Sequence, residues 1–113
     1  MNIATPHYET YVTMALCTSH LAPEDIIKLE ALAQSQDCQL VSSRKTGFFI
    51  KLYAADKENM EVIIDQFQKQ LGLSKAFNRI AAHAIRQNYR LIEFDQDADE
   101  CNVFKTHRFQ PTL

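Results

Sequence analysis

Residues 11–25, YVTMALCTSHLAPED, constrain the fold more than any other stretch of the chain. The first half is apolar and rich in β-branched residues and lacks Gly and Pro, a composition typical of a strand. Pro23 then fits the first position of a helix, where its missing N–H costs nothing, and two carboxylates follow in the first turn, where the helix dipole favours negative charge. We therefore predict a strand and a helix over 23–34. The turn between them carries Thr18, Ser19 and His20.

The rest of the chain predicts a hairpin, two helices and a closing strand. The expected elements are strands over residues 38–43 and 47–54, helices over 57–71 and 75–88, a strand over 90–94 and a weak last strand over 102–105. Asp56 and Ser74 are expected to cap the two helices. Gly72 is expected to end the first of them, and Gly47 to occupy a turn position with positive φ.

This order, β-α-β-β-α-α-β with a possible final β, predicts an α+β fold. We expect a two-layer sandwich in which a mixed sheet of about four or five strands has about three helices mainly on one face. A strand that follows a helix usually lies parallel to an earlier one, so we place the strand 90–94 beside the first strand and parallel to it. We expect residues 10–109 to form a single domain, between an N-terminal arm over 1–9 and a tail over 110–113.

Composition excludes several classes of protein. Of the 113 residues, 46% are apolar and 23% are charged, which is typical of a soluble domain with one core. A net charge of −2 argues against a protein that coats nucleic acid non-specifically. Apolar runs fall short of the ~18 residues of a membrane span, and the polar start does not resemble a signal peptide. The dispersed cysteines favour a reducing cytoplasm, and the cysteines and histidines form no grouping that suggests a metal site. We therefore expect no metal and no other cofactor, and the short apolar runs predict no membrane contact.

The turn after the first strand is the first candidate site. If the closing strand is parallel to the first, its C-terminal end brings Asp95 and Asp97 to the same edge of the sheet as Ser19 and His20. A histidine that is oriented by a carboxylate and lies close to a hydroxyl is the arrangement of nucleophilic and general-base catalysis. The alternative is structural: Thr18, Ser19 or His20 caps the following helix.

The acidic run over residues 95–100 is the second candidate site. Alternating carboxylates provide the oxygen ligands that Mg²⁺ and Ca²⁺ prefer. The run does not match an EF-hand loop, because its sixth position is Glu100 instead of Gly and its twelfth is Thr106 instead of Glu. The alternative is a solvated acidic loop.

A basic stripe on the helix over 75–88 is the third candidate site. Lys75, Arg79 and Arg86 project within about 40° of one another at about 100° per residue. Asp and Glu are absent from residues 66–92. This face, extended by Arg90, predicts contact with phosphate or with an acidic partner. The alternative is the solvent face of an amphipathic helix.

Three short segments resemble a known protein family. CTSHL resembles its N-terminal signature of a strand ending in Ser/Thr, a small residue, His and an aliphatic residue, and GFFIKL and NYRLIEFDQDA resemble its middle hairpin and its closing strand with acidic residues. The family is a domain of unknown function in small uncharacterised proteins that are common on plasmids, phages and integrative elements. The resemblance implies that His20 and Asp95 occupy family-typical positions. It also implies a mobile-element setting, where small proteins bind and modulate host or plasmid machinery.

Three functional hypotheses follow. The first is a non-enzymatic cytoplasmic binding or accessory protein, such as a mobile-element regulator or inhibitor, whose partner is another protein. The sequence is also compatible with a homodimer. The second is a small hydrolase-like enzyme that uses His20 with Ser19 and Asp95 or Asp97. The third is nucleic-acid binding through the basic face. The residues of that face are Lys75, Arg79, Arg86 and Arg90.

Overall fold

The computed structural model describes residues 10–107, so the predicted arm over 1–9 and the tail over 110–113 lie outside the described residues. The strands are β1 (Thr13–Leu16), β2 (Val41–Arg44), β3 (Gly47–Lys51) and β4 (Leu91–Asp95), and the helices are α1 (Pro23–Gln34), α2 (Met60–Asp65) and α3 (Lys75–Arg86). A 3₁₀ turn (Thr18–His20) follows β1, and a π turn (Gln66–Gln70) follows α2. In this part of the chain, every helix is too short or too polar to cross a membrane.

The strands form one mixed sheet in the order β1-β4-β3-β2. β1 is parallel to β4, with Leu16 opposite Phe94, and the other two pairings are antiparallel. The predicted α+β class is confirmed, as is the prediction that the closing strand lies beside the first and parallel to it. The C-terminal ends of β1 and β4 therefore meet at one edge of the sheet.

Side-chain alternation gives the sheet one buried face and one half-open face. The buried or partly buried residues of the first face are Met14, Leu16, Val41, Phe48, Ile50, Ile92 and Phe94. The helices and the π turn contribute the opposing layer, chiefly Leu29, Phe67, Phe77, Ile80, Ala81, Ala84 and Ile85. Each fully buried large apolar side chain stabilises such a core by about 1.5–3 kcal/mol. This burial holds α3 against the sheet and leaves its other side exposed.

The second predicted helix is shorter than expected at both ends. Asp56 does not cap a helix directly: its carboxylate accepts the Asn59 N–H at 2.8 Å, and the Asn59 side chain accepts the Asp56 N–H at 2.7 Å. These reciprocal bonds close a turn, and α2 begins only at Met60. At the other end the backbone widens, because the Leu71 N–H donates to the Gln66 carbonyl in the π turn at 3.1 Å. The predicted weak strand over 102–105 is absent from the sheet of the described residues.

Gly47 is needed for a different reason from the one predicted. Among the described residues, positive φ occurs at Gly72 and Asn88, so the expected positive φ at Gly47 is wrong. Gly47 lies in β3, where a Cβ atom would stand 1.7 Å from the Phe94 carbonyl oxygen. A close approach of two strands therefore requires the glycine. Gly72, with φ 70°, follows the π turn and so stands at the end of the second helical unit, where it was predicted.

A buried carboxylate joins the starts of α1 and α3. Ser74 caps α3 as predicted, because its hydroxyl accepts the Phe77 N–H at 3.2 Å. Asp25, which is 1% exposed, accepts the Ser74 N–H at 2.9 Å and also the Ser74 hydroxyl. Asp25 therefore belongs to the scaffold that fixes the first turn of α3.

Candidate functional site

His20 is a buried tie between the end of β1 and a distant backbone segment. Its side chain is 1% exposed, its Nε2 accepts the Cys101 N–H at 2.8 Å, and its Nδ1 lies 3.0 Å from the Lys105 carbonyl oxygen. Because a nitrogen that accepts an N–H carries no proton, the ring donates from Nδ1 to the Lys105 carbonyl. His20 therefore holds the C-terminal segment (residues 101–107) against the 3₁₀ turn.

The other residues of this turn do not cap α1. The N-cap of α1 is Ala22, which has no side-chain cap bond, so the predicted capping by Thr18, Ser19 or His20 is wrong. Cys17 instead caps the 3₁₀ turn, where its sulfur accepts the Ser19 N–H at 3.5 Å. The Ser19 carbonyl accepts the His107 N–H at 2.6 Å, and the Ser19 hydroxyl is buried with no partner in the described part of the chain.

Asp95 interacts with the hairpin and not with His20. Its carboxylate accepts the Thr46 hydroxyl at 2.7 Å and lies 2.8 Å from the Arg44 guanidinium, which also reaches Glu93 at 3.4 Å. The Thr46 hydroxyl, the Asp97 N–H and the Arg44 guanidinium hold the pKa of Asp95 below its ordinary value of 3.8, although partial burial acts in the opposite direction. The topology thus brings the two strand ends together without joining the four predicted catalytic residues.

The Asp95 carboxylate makes the free energy of unfolding depend on pH in the acidic range. Because the pKa of Asp95 is lower in the folded state than its ordinary 3.8, its contribution is fully present above about pH 4 and is lost as the pH falls through the folded pKa. We expect urea unfolding between pH 2 and pH 7, about the range in which carboxylates titrate, to show a shallower acid loss for Asp95→Asn than for wild type. Asp97→Asn, at an exposed position, is the control and should keep the wild-type profile. Equal profiles for Asp95→Asn and wild type would contradict this assignment.

The rest of the acidic run faces solvent. Asp97, Asp99 and Glu100 are exposed. Within residues 10–107, the structure has no group of three or more His, Cys, Asp or Glu side chains that could hold a metal ion. The described side chains of residues 95–100 therefore do not converge on a cation site.

Three of the four predicted basic residues lie together. Lys75, Arg79 and Arg86 are exposed on α3 and line a shallow, open cleft of about 350 Å³ between α3 and the α2–π turn unit. None of the three forms an ion pair within residues 10–107. Arg90 lies elsewhere, because its guanidinium donates to the Ala55 carbonyl and its own N–H donates to Val12. The basic cleft (Lys75, Arg79 and Arg86) is thus a site without Arg90.

Asn78 also lines the basic cleft, and the sequence reasoning missed it. Its side chain is 7% exposed, and both its amide oxygen and its amide nitrogen are buried without a hydrogen-bond partner in the described chain. Buried polar groups are nearly always paired. The available signal was its position: Asn78 is a polar residue directly beside Phe77 on the apolar stripe of a helix.

Comparison with known proteins gives one match. A model described as the family of unknown function DUF5983, C-terminal domain, matches residues 13–109. The matched region runs from β1 to the segment that His20 holds. Neither a curated protein nor a solved structure matches the chain.

Proposed function

We propose that this chain, which belongs to the family of unknown function DUF5983, C-terminal domain, is a non-enzymatic domain that binds another protein through the basic cleft. One observation carries the proposal. Lys75, Arg79 and Arg86 are exposed together on α3, and none of them forms an ion pair among residues 10–107. On a protein with a net charge of −2, this cluster of three unpaired cations gives the cleft a local positive potential that attracts an acidic partner and orients it.

The His20 geometry favours binding over hydrolysis. A general base needs a nitrogen within reach of the proton it removes, whereas both His20 nitrogens are hydrogen-bonded to backbone groups.

The basic cleft also favours contact with a protein over contact with nucleic acid. The basic cleft without Arg90 neutralises few phosphates, and its apolar residues, Ile64 and Ala82, suit a protein side chain. The resemblance of CTSHL and NYRLIEFDQDA to a mobile-element family supports a finer role as an accessory protein or regulator in a cytoplasm.

Reversing the charge of the basic cleft is expected to weaken partner binding. The variant K75E/R79E/R86E replaces attraction by repulsion at three exposed positions, so affinity for the partner should fall by about tenfold or more. The matched control, K28E/K45E/K57E, makes the same change in net charge at exposed lysines outside the cleft and should bind like wild type. All three proteins are used as bait in lysate of cells that carry the gene, captured proteins are quantified by mass spectrometry, and the specific one is purified for calorimetry.

Two results would overturn the proposal. One is a partner that binds the charge-reversed variant as tightly as the control. The other is salt-sensitive capture of nucleic acid by wild type with no specific protein, which would favour the nucleic-acid hypothesis.

A further inference from the structure

We propose that the basic cleft is a site for a short acidic peptide segment in extended conformation, and that Asn78 recognises the backbone of that peptide. This inference rests on the proposed function and adds the class of ligand and a residue that determines specificity. Three features of the cleft support it: an unpaired amide, a widened helix and the spacing of two cations.

The Asn78 amide is the strongest of these features. Its side chain is 7% exposed and has neither a donor for its oxygen nor an acceptor for its nitrogen among residues 10–107. An unpaired buried amide destabilises the free domain, because the group has lost its water without gaining a partner. The same amide offers one donor and one acceptor side by side, which matches the C=O and N–H of one residue in an extended peptide. Both amide atoms are closed to solvent in the free domain, so recognition requires the Asn78 side chain to turn toward the cleft, where the peptide supplies the bonds that the free domain lacks.

The π turn shapes the opposite wall of the cleft. The bond from the Leu71 N–H to the Gln66 carbonyl spans five residues, so the backbone is wider here than in an α-helix. Gln68 lies in this turn and lines the cleft with Ile64. Short π segments inside helices occur frequently at functional sites. The widened wall thus lies across the cleft from Asn78 and the cations of α3.

The cations fit carboxylates on an extended chain. Lys75 and Arg79 are separated by about 6 Å along α3, which is close to the ~6.6 Å between alternate residues of an extended peptide. Asp or Glu at two alternate positions can therefore meet both cations, while the peptide backbone passes Asn78. A nucleic acid fits less well, because single-stranded bases stack on aromatic rings and the lining of the cleft in the described chain contains none.

The test is peptide selection followed by affinity and stability measurements. A library of random short peptides is selected on the wild-type domain, and the enriched peptides are labelled with fluorescein for anisotropy titrations. We expect the selection to enrich peptides with Asp or Glu at alternate positions.

Asn78→Leu should weaken the binding of these peptides by about tenfold. It should also raise the Tm of the free domain by about 4 °C, because the unpaired amide is gone. Asn102→Leu, the same change at an exposed position, should alter neither value.

The combination of higher Tm and weaker binding separates ligand recognition from a structural role. A lower Tm for Asn78→Leu with unchanged affinity would overturn the role of Asn78, and so would a higher Tm with unchanged affinity. Selection of peptides without acidic residues, or displacement of the peptide by single-stranded DNA at lower concentration than by unlabelled peptide, would overturn the ligand class. None of these results would contradict the proposed function, which is tested separately by protein capture and by the affinity of the charge-reversed variant.

Discussion

Gly47→Ala is expected to lower the free energy of unfolding by about 3 kcal/mol. The new Cβ atom would stand 1.7 Å from the Phe94 carbonyl oxygen and 2.6 Å from its carbon, both of which are backbone atoms of the neighbouring strand. Relief requires β3 and β4 to separate where Gly47 pairs with Asp95. The separation also disturbs the contacts of Asp95 with Thr46 and Arg44.

Urea unfolding of the two possible Gly→Ala variants measures this effect, since the chain contains two glycines. Gly72 has φ 70°, and a Cβ there would meet only the flexible end of Lys28, at 2.7 Å. Gly72→Ala should therefore cost about 1–2 kcal/mol, the usual penalty of a left-handed conformation. A loss for Gly47→Ala no larger than that for Gly72→Ala would contradict the close approach of the two strands.

His20→Ala is expected to release the C-terminal segment and to lower the free energy of unfolding by about 3 kcal/mol. The substitution removes a fully buried ring and leaves a cavity. It also deletes both bonds to the segment, at Cys101 and Lys105, which are worth about 1 kcal/mol each. The edge contact of His20 with Phe104, with ring centroids 6.0 Å apart, is lost as well.

Hydrogen exchange at the Cys101 amide reports this release directly. The amide should exchange much faster in His20→Ala, while amides of the central strands β3 and β4 stay protected. His83→Ala is the control, because His83 also packs edge-on against Phe104, at 5.3 Å, but has no hydrogen bond to the segment within the described chain. Unchanged protection of Cys101 in His20→Ala, or equal loss in both variants, would contradict the role of His20 as a tie.

The parts of the fold that depend on local signals were predictable. The bounds of α1 match the prediction from Pro23 to Gln34, because proline and two carboxylates mark the start of the helix. The parallel pairing of β1 with β4 also followed from sequence, since a strand after a helix usually returns parallel to an earlier one. These two features fix the edge of the sheet at which the His20 turn lies.

The role of His20 was not predictable from sequence. Its partners are backbone groups 81 and 85 residues away, and backbone groups are the same at every position, so no residue type marks them. A carboxylate at the shared edge was foreseeable, but Thr46 and Arg44, on the hairpin, are the groups that bind Asp95. Topology therefore predicted which strand ends are neighbours and not which side chains pair.

The basic cleft was predictable in part. Helical periodicity grouped Lys75, Arg79 and Arg86, and the structure groups them in the same way. Arg90 was predicted to extend the same face, but α3 ends at Arg86 and the chain turns through Asn88, with φ 65°, so Arg90 leaves the helix. The Asn78 amide is unpaired because neither α2 nor the π turn places a hydrogen-bonding group against it. The absence of such a partner leaves no pattern in the sequence.

Two-dimensional ¹⁵N NMR of the wild-type domain, titrated with a selected acidic peptide, tests the central claim most directly. Binding at the basic cleft predicts that the shifted resonances are those of α3 and the π turn, including the side-chain amide of Asn78. Resonances of the 3₁₀ turn and of the C-terminal segment should stay in place. Shifts centred on His20 and the segment it holds, with α3 unaffected, would contradict the account.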